Sequence, residues 1–256
     1  SAASDVYKRQ GERYIRVLMD VNEQDVVVIQ NTFPDKKIVE LLLILQAVKE
    51  AGAKTVTCVI PYMGYSRQER IFQSGEARSA KAIASVIGGM CDRVFTINVH
   101  TPEILKFFGC EANDINGSRE VVRYLKGFGP DMVIAPDEGS RDRCTLAADL
   151  LKVPVHVMKK VRIDGRTVET SSGQINVKGS TAVILDDIIS TGGTIATAAN
   201  ILRDGGAERV FAACTHGLFI EDAANRLRVC DDILSSDTLE GVYTRFSVAP
   251  AIADAL

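Results

Sequence analysis

Val183-Ile-Leu-Asp-Asp-Ile-Ile-Ser-Thr-Gly-Gly-Thr194 decides the reading of this chain. An apolar, β-branched run predicts a strand ending in two carboxylates. The Thr-Gly-Gly-Thr turn then opens a helix over Ile195 to Arg203. Gly192 and Gly193 allow backbone conformations that turn N–H groups inward, and the hydroxyls of Ser190, Thr191 and Thr194 add donors. The helix N-terminus adds positive potential, so the segment reads as a phosphate cradle. Asp186 and Asp187 would repel that phosphate unless they face something else. Vicinal sugar hydroxyls or a hydrated magnesium ion suit them, so a phosphosugar fits both halves of the segment. An isolated Thr-Gly-Gly-Thr is more often an ordinary capped turn, whereas the full pattern through Ile195 is far more specific.

Outward from this segment, short β-branched runs alternate with amphipathic stretches. Strands are expected at Val26 to Gln30, Thr55 to Pro61, Arg93 to Val99, Met132 to Pro136 and Val153 to Met158. Helices are expected at Ile38 to Glu50, Ser79 to Gly88, Ser118 to Lys126 and Arg141 to Leu151. That is a βαβ rhythm with a parallel sheet, and it restarts after Gly117. The near-continuous apolar runs Ala182 to Leu185 and Val210 to Cys214 imply strands covered by helices on both faces. The fold class is therefore α/β, with two successive, mainly parallel, doubly wound sheets. Ligands in such sheets sit outside the carboxyl ends of the strands, so function belongs in the loops found there.

The 256 residues are 46% apolar and 25% charged, ordinary for a globular chain of about two domains. A net charge of −3 gives no global basic field for nucleic acid or anionic membrane, so an anionic ligand must be held locally. The longest apolar run, Ile38 to Val48, is broken by Glu40 and Gln46 and falls far short of the roughly 20 residues that span a bilayer. Six scattered cysteines form no C-x-x-C pair and read as buried thiols in a reducing cytoplasm. Ser1 to Gln10 lacks both an initiator Met and the apolar core of a secretory signal. It resembles a translated sequencing-library adapter, and it is set aside as a non-native leader, with Gly11 as a truncated start.

No G-x-x-x-x-G-K-[ST] occurs, so a nucleotide would bind by other means. Pro61-Tyr-Met-Gly-Tyr-Ser-Arg-Gln-Glu-Arg70 gathers Arg67, Gln68, Glu69 and Arg70 after a strand. Asn98-Val-His100 ends the next strand, and Pro136-Asp-Glu-Gly-Ser-Arg141 ends another in the following half. A histidine at a strand's carboxyl end with a matching Asp137 suits a magnesium-site pair, directly or through water. The phosphate segment resembles the phosphoribosyl pyrophosphate loop of type I phosphoribosyltransferases. With the other loops, Gly11-Glu12 before Tyr14-Ile-Arg16, and Lys160-Val-Arg162, the whole chain from Gly11 resembles the ribose-phosphate pyrophosphokinase family. The Thr-Gly-Gly-Thr and Asn-Val-His variants look closest to its archaeal-type members.

The resemblance implies two tandem phosphoribosyltransferase-like domains, 11–114 on the ATP side and 115–256 on the ribose 5-phosphate side. It implies transfer of the diphosphoryl group of ATP to the 1-hydroxyl of ribose 5-phosphate, with Mg2+ as cofactor, in a homo-oligomer built from dimers. Glu12, Arg67, Gln68, Glu69 and His100 would bind ATP, and His100 and Asp137 would hold the metal. Asp186, Asp187, Ser190, Thr191, Gly192, Gly193 and Thr194 would bind ribose 5-phosphate. Lys160 and Arg162, in the loop before Ile163-Asp-Gly165, would be catalytic through their charge. The resemblance implies a Phe-Pro-Asp before this Gly-Glu, where Tyr7-Lys-Arg-Gln10 stands here. Two rivals are a phosphoribosyltransferase that consumes phosphoribosyl pyrophosphate and a non-catalytic synthetase-associated subunit. The first needs only one such domain, and the second tends to have damaged catalytic loops. His156 reads as structural and His216 takes no assigned role.

Overall fold

The structure, a computed structural model, describes residues 3–7, 12–162, 168–171 and 176–256, with 3–7, 159–162 and 168–171 described as backbone alone. The chain divides into two compact units, Ser1–Ile115 and Asn116–Leu256.

In the first unit, four parallel strands lie in the order β3 (Asp25–Ile29), β4 (Thr55–Ile60), β5 (Arg93–Ile97) and β6 (Glu111–Ile115). Helices α1 (Lys36–Glu50) and α2 (Ser79–Gly88) connect them. Each helix buries one stripe: Leu41, Leu45 and Val48 on α1, and Ala80, Ala84 and Ile87 on α2, spaced as an amphipathic helix requires. These pack with Val56, Cys58, Ile60 and Val94 into one core. Within the decapeptide set aside above, β1 (Ala3–Tyr7) runs antiparallel to β2 (Arg13–Val17). The buried carboxylate of Glu40 ties that hairpin to α1, pairing with Arg13 and, at 2.6 Å, with Lys37.

The second unit holds a six-stranded parallel sheet. Its strands are β7 (Met132–Ala135), β8 (Val155–Val157), β11 (Thr181–Ile189), β12 (Arg209–Gly217), β13 (Asp232–Ser236) and β14 (Thr244–Phe246), in the spatial order β14-β13-β12-β11-β7-β8. The pleat sorts the side chains into two layers. Met132, Ile134, Ala182, Ile184, Val210 and Ala212 face one core with α5 (Gly193–Asp204). Val133, Ala135, Val183, Leu185, Phe211 and Ala213 face another with α3 (Ser118–Leu125) and α4 (Arg141–Leu151). Strand order reverses at β7, which has β8 on one side and β11 on the other, so the crevice beyond the carboxyl ends of β7 and β11 is this sheet's topological switch point. The chain also forms a hairpin of β9 (Lys159–Arg162) and β10 (Val168–Ser171), carries the short helix α6 (Ala223–Arg226) between β12 and β13, and ends with α7 (Ala249–Ala255).

One device recurs at the amino ends of both sheets. Asp92 donates its N–H to the Val56 carbonyl and accepts the Val56 N–H on its side chain, at 2.9 and 2.7 Å. Asp131 makes the same reciprocal pair with Thr181, and Asp231 with Val210.

The boundaries of the expected strands fall within about two residues of those observed, except that β12 runs three residues past Cys214 and β11 past its carboxylates. Strand β11 runs through Asp186 and Asp187 to Ile189, so the two carboxylates lie inside a strand rather than at its end. Pairing with β12 through Ile189 and Gly217 carries the strand past them. All six cysteines are free thiols, five buried and Cys110 half-buried. Among the described residues no helix is long and apolar enough to cross a membrane.

Candidate active site

In the second unit, the chain leaves β11 at Ser190, turns at Gly192 and enters α5. Gly192 has φ +74°, a left-handed conformation that glycine adopts without Cβ strain. The first helical bond runs from the Ala196 N–H to the Gly192 carbonyl at 2.8 Å, so the amides of Gly193, Thr194 and Ile195 have no acceptor inside the helix. Such a helix N-terminus is the kind of place that suits an anion. Neighbouring segments brace the turn: the Ile220 N–H donates to the Ser190 carbonyl, and Arg226 donates to the Thr191 carbonyl at 3.0 Å. Ser190 and Thr191 are half-buried and Thr194 is exposed. The whole predicted loop, with Asp186 and Asp187 behind it, is therefore one continuous feature.

The carboxylate pair is held by Ser140 of the loop after β7 and Arg143 of the first turn of α4. Ser140, fully buried, donates its hydroxyl to Asp186 Oδ1 at 2.7 Å and lies 3.4 Å from Asp137 Oδ1. Arg143 Nη1 donates to Asp186 Oδ1 and to Asp187 Oδ1, each at 3.0 Å. Asp186 Oδ1 also accepts the Asp187 N–H at 2.9 Å. Burial first, and then the charge of Asp187 and a hydrogen bond with it, push the Asp186 carboxyl up to about 7, against the opposing pull of Ser140 and Arg143. Asp137, Ser140, Arg143, Asp186 and Asp187 thus form one connected group at the switch point.

Sequence reading missed Ser140 and Arg143. One signal pointed to Arg143: it sits in the first turn of α4, where the helix dipole disfavours a cation unless a counter-charge holds it there.

In the first unit, the loops after β3, β4 and β5 carry the other predicted residues. The loop after β4 is pinned to the loop after β3, because Thr32 Oγ1 accepts the Gly64 N–H at 2.7 Å and Asn31 Oδ1 accepts the Tyr62 N–H at 2.8 Å. A Cβ on Gly64 would stand 2.7 Å from the Thr32 carbonyl oxygen, so this close approach requires glycine. Past Gly64, Arg67 is exposed, and the Gln68 side-chain carbonyl accepts the Ser79 hydroxyl at 2.9 Å. Glu69 and Arg70 pair with one another at 3.6 Å. His100, half-buried, follows β5, and Glu12, exposed, precedes β2.

His100 belongs to the first unit and Asp137 to the second. Among the described residues no group of three or more His, Cys, Asp or Glu side chains is placed to hold a metal ion. The Asp137 carboxylate suits magnesium, which commonly takes one or two carboxylates, several waters and substrate phosphates rather than an all-protein cage, whereas the His100 imidazole would reach it through water. Lys160 and Arg162 stand in strand β9 rather than in the loop itself, opposite Thr170 and Val168 of β10, and the antiparallel pairing agrees with a hairpin return at Val168. Their side chains, and Ile163 to Gly165 of the expected loop, lie outside the described residues. His216, buried at the end of β12, shares a hydrogen bond of 2.9 Å with the Thr238 hydroxyl.

A parallel sheet whose Gly-rich loop opens a helix beside paired strand carboxylates defines a phosphoribosyltransferase-type domain, and residues 116–248 match the phosphoribosyl transferase domain. Residues 4–90 match the N-terminal domain of ribose phosphate pyrophosphokinase. The ribose-phosphate pyrophosphokinase of Methanopyrus kandleri is 38% identical over 252 residues, covering 96% of this chain and 87% of that protein. The one from Methanosarcina mazei is 40% identical over 250 residues, covering 96% and 83%. The crystal structure of phosphoribosylpyrophosphate synthetase from Mycobacterium smegmatis superposes with a TM-score of 0.85 at 28% identity, over 99% of this chain and 88% of that one. The chain belongs to the ribose-phosphate pyrophosphokinase family, enzymes that transfer a diphosphoryl group.

Proposed function

We propose that this chain transfers the β,γ-diphosphoryl group of ATP to the 1-hydroxyl of ribose 5-phosphate, giving phosphoribosyl pyrophosphate and AMP. The 1-hydroxyl oxygen bonds to the β-phosphorus, the bond from that phosphorus to the α,β-bridging oxygen breaks, and AMP leaves with that oxygen. The hydroxyl proton passes to solvent. The observation that carries this reading is the continuity of the Asp186–Asp187 pair with the Ser190 to Thr194 cradle, which suits a sugar's vicinal hydroxyls at one end and its 5-phosphate at the other.

In this reading Arg67, Gln68, Glu69, His100 and Glu12 bind ATP. Lys160 and Arg162 stabilise the charge that spreads over the phosphoryl oxygens during in-line transfer. Mg2+ bound with the diphosphate would neutralise part of that charge, with the Asp137 carboxylate as its ligand in the second unit. In this reading the enzyme works in the cytoplasm as a homo-oligomer built from dimers, and its free thiols accord with a reducing compartment.

The test is to incubate the chain with magnesium, ATP and ribose 5-phosphate and follow the products by phosphorus NMR. AMP and a 1-diphosphate sugar should appear in equal amounts, and AMP formed without the sugar would overturn the assignment. Asp187→Asn should weaken ribose 5-phosphate binding in calorimetry and leave ATP binding within about twofold, since that carboxylate accepts a sugar hydroxyl, an interaction of the charged hydrogen-bond class.

A further inference from the structure

Along a strand, successive side chains point to opposite faces of the sheet. Asp186 and Asp187 are successive residues of β11, yet their Oδ1 atoms converge on a single nitrogen, Arg143 Nη1, at 3.0 Å each. Two carboxylates brought together repel one another, and neither pleat nor charge would assemble them unaided. The Arg143 side chain is about one-fifth exposed and the Asp187 side chain almost fully buried, so solvent screens this contact weakly. Arg143 also occupies the end of a helix that disfavours cations, a cost to which its two ion pairs with these acids respond.

We propose that Arg143 is a positioning residue for the sugar: it holds the carboxylates of Asp186 and Asp187 on one side of β11 so that together they accept two vicinal hydroxyls. Arg143 acts through the two acids and touches no reacting atom. The proposal rests on the assignment of the carboxylate pair to the sugar. Only one of its nitrogens makes both contacts, so the requirement is a single well-placed cationic donor rather than the planar fork of a bidentate arginine. That distinguishes positioning from a general packing role for the long side chain.

The experiment compares Arg143→Gln, Arg143→Lys and Asp187→Asn with the parent, by calorimetry with ribose 5-phosphate alone, by the KM for each substrate, and by thermal unfolding. Arg143→Gln should raise the ribose 5-phosphate Kd and KM about tenfold or more, the scale of a lost charge-assisted contact, while the ATP KM stays within about twofold. Arg143→Lys should recover most of the sugar affinity. Equal losses for both substrates, an Arg143→Lys no better than Arg143→Gln, or unchanged sugar affinity in Arg143→Gln would each overturn the proposal. If Asp187→Asn leaves sugar affinity unchanged, the sugar assignment fails and the proposal with it. If Asp187→Asn weakens the sugar and Arg143→Gln does not, the sugar assignment survives and Arg143 alone is misread.

Discussion

Asp186→Asn should make the protein more stable and the sugar site worse, and the gain in stability should depend on pH in a way the structure specifies. In the unfolded chain this carboxyl loses its proton near its ordinary value of 3.8, whereas in the fold burial and the adjacent Asp187 hold the proton until about 7. Between those values the native state keeps a proton that the unfolded state has lost, so its stability falls as pH rises through that window and levels off above it. At about 1.4 kcal/mol per pH unit, the cost at pH 8 is about 4 kcal/mol at most. Asparagine is a standing copy of the protonated acid: its oxygen still accepts from Ser140 and Arg143, and its amide can donate to Asp187. Because donors lose strength when a carboxylate becomes an amide, a net gain of about 2 kcal/mol is expected at pH 8 and none at pH 4. Urea unfolding of parent and variant at pH 4, 5.5, 7 and 8.5 measures this, with calorimetry reporting weaker ribose 5-phosphate binding. A stability difference that does not grow between pH 4 and pH 7, or a variant less stable at pH 8.5, would refute the reasoning.

Lys160→Ala and Arg162→Ala should each lower kcat by at least about 10²-fold with little change in either KM, as loss of transition-state charge stabilisation requires; turnover within a few-fold of the parent would remove β9 from the chemistry. Gly64→Ala drives a Cβ toward the Thr32 carbonyl and should cost about 1–3 kcal/mol of stability in urea unfolding. The same change displaces the Arg67 loop, so the KM for ATP should rise while that for ribose 5-phosphate holds.

Much of the α/β frame was legible because its signals are local. Helices α2 and α4 begin and end at the residues expected from periodicity, and the Thr-Gly-Gly-Thr loop carries its own turn and cap chemistry. Strand β6, Glu-Ala-Asn-Asp-Ile, was not legible. It is an edge strand, and Asp114 serves to accept the Thr96 hydroxyl and the Val99 N–H rather than to fill a core, so neither hydrophobic alternation nor β-propensity marks it. The extent of β11 past the carboxylates depends on a partner strand, which no local window contains. The bonds of Arg143 and Ser140 to acids more than forty positions away were illegible for the same reason. Candidate ligands stood in the sequence, while the residues that aim them emerged only from tertiary contact.

The reciprocal aspartate pairs at the strand amino ends make the chemistry depend on residues that never approach it. Parallel strands slide past one another in whole residues, and a step of one exchanges every inward side chain for an outward one. Asp131 fixes which residue of β7 stands beside Thr181, and the nine-residue β11 carries that choice roughly 30 Å to the phosphate loop, at about 3.3 Å per residue. The aspartate works as the zero mark of a ruler. A change at the blunt end of the sheet can therefore leave every ligand of the sugar intact and still set the whole loop out of phase with Asp137 and Ser140, so an inactive variant with a complete set of site residues is an expected failure of this architecture.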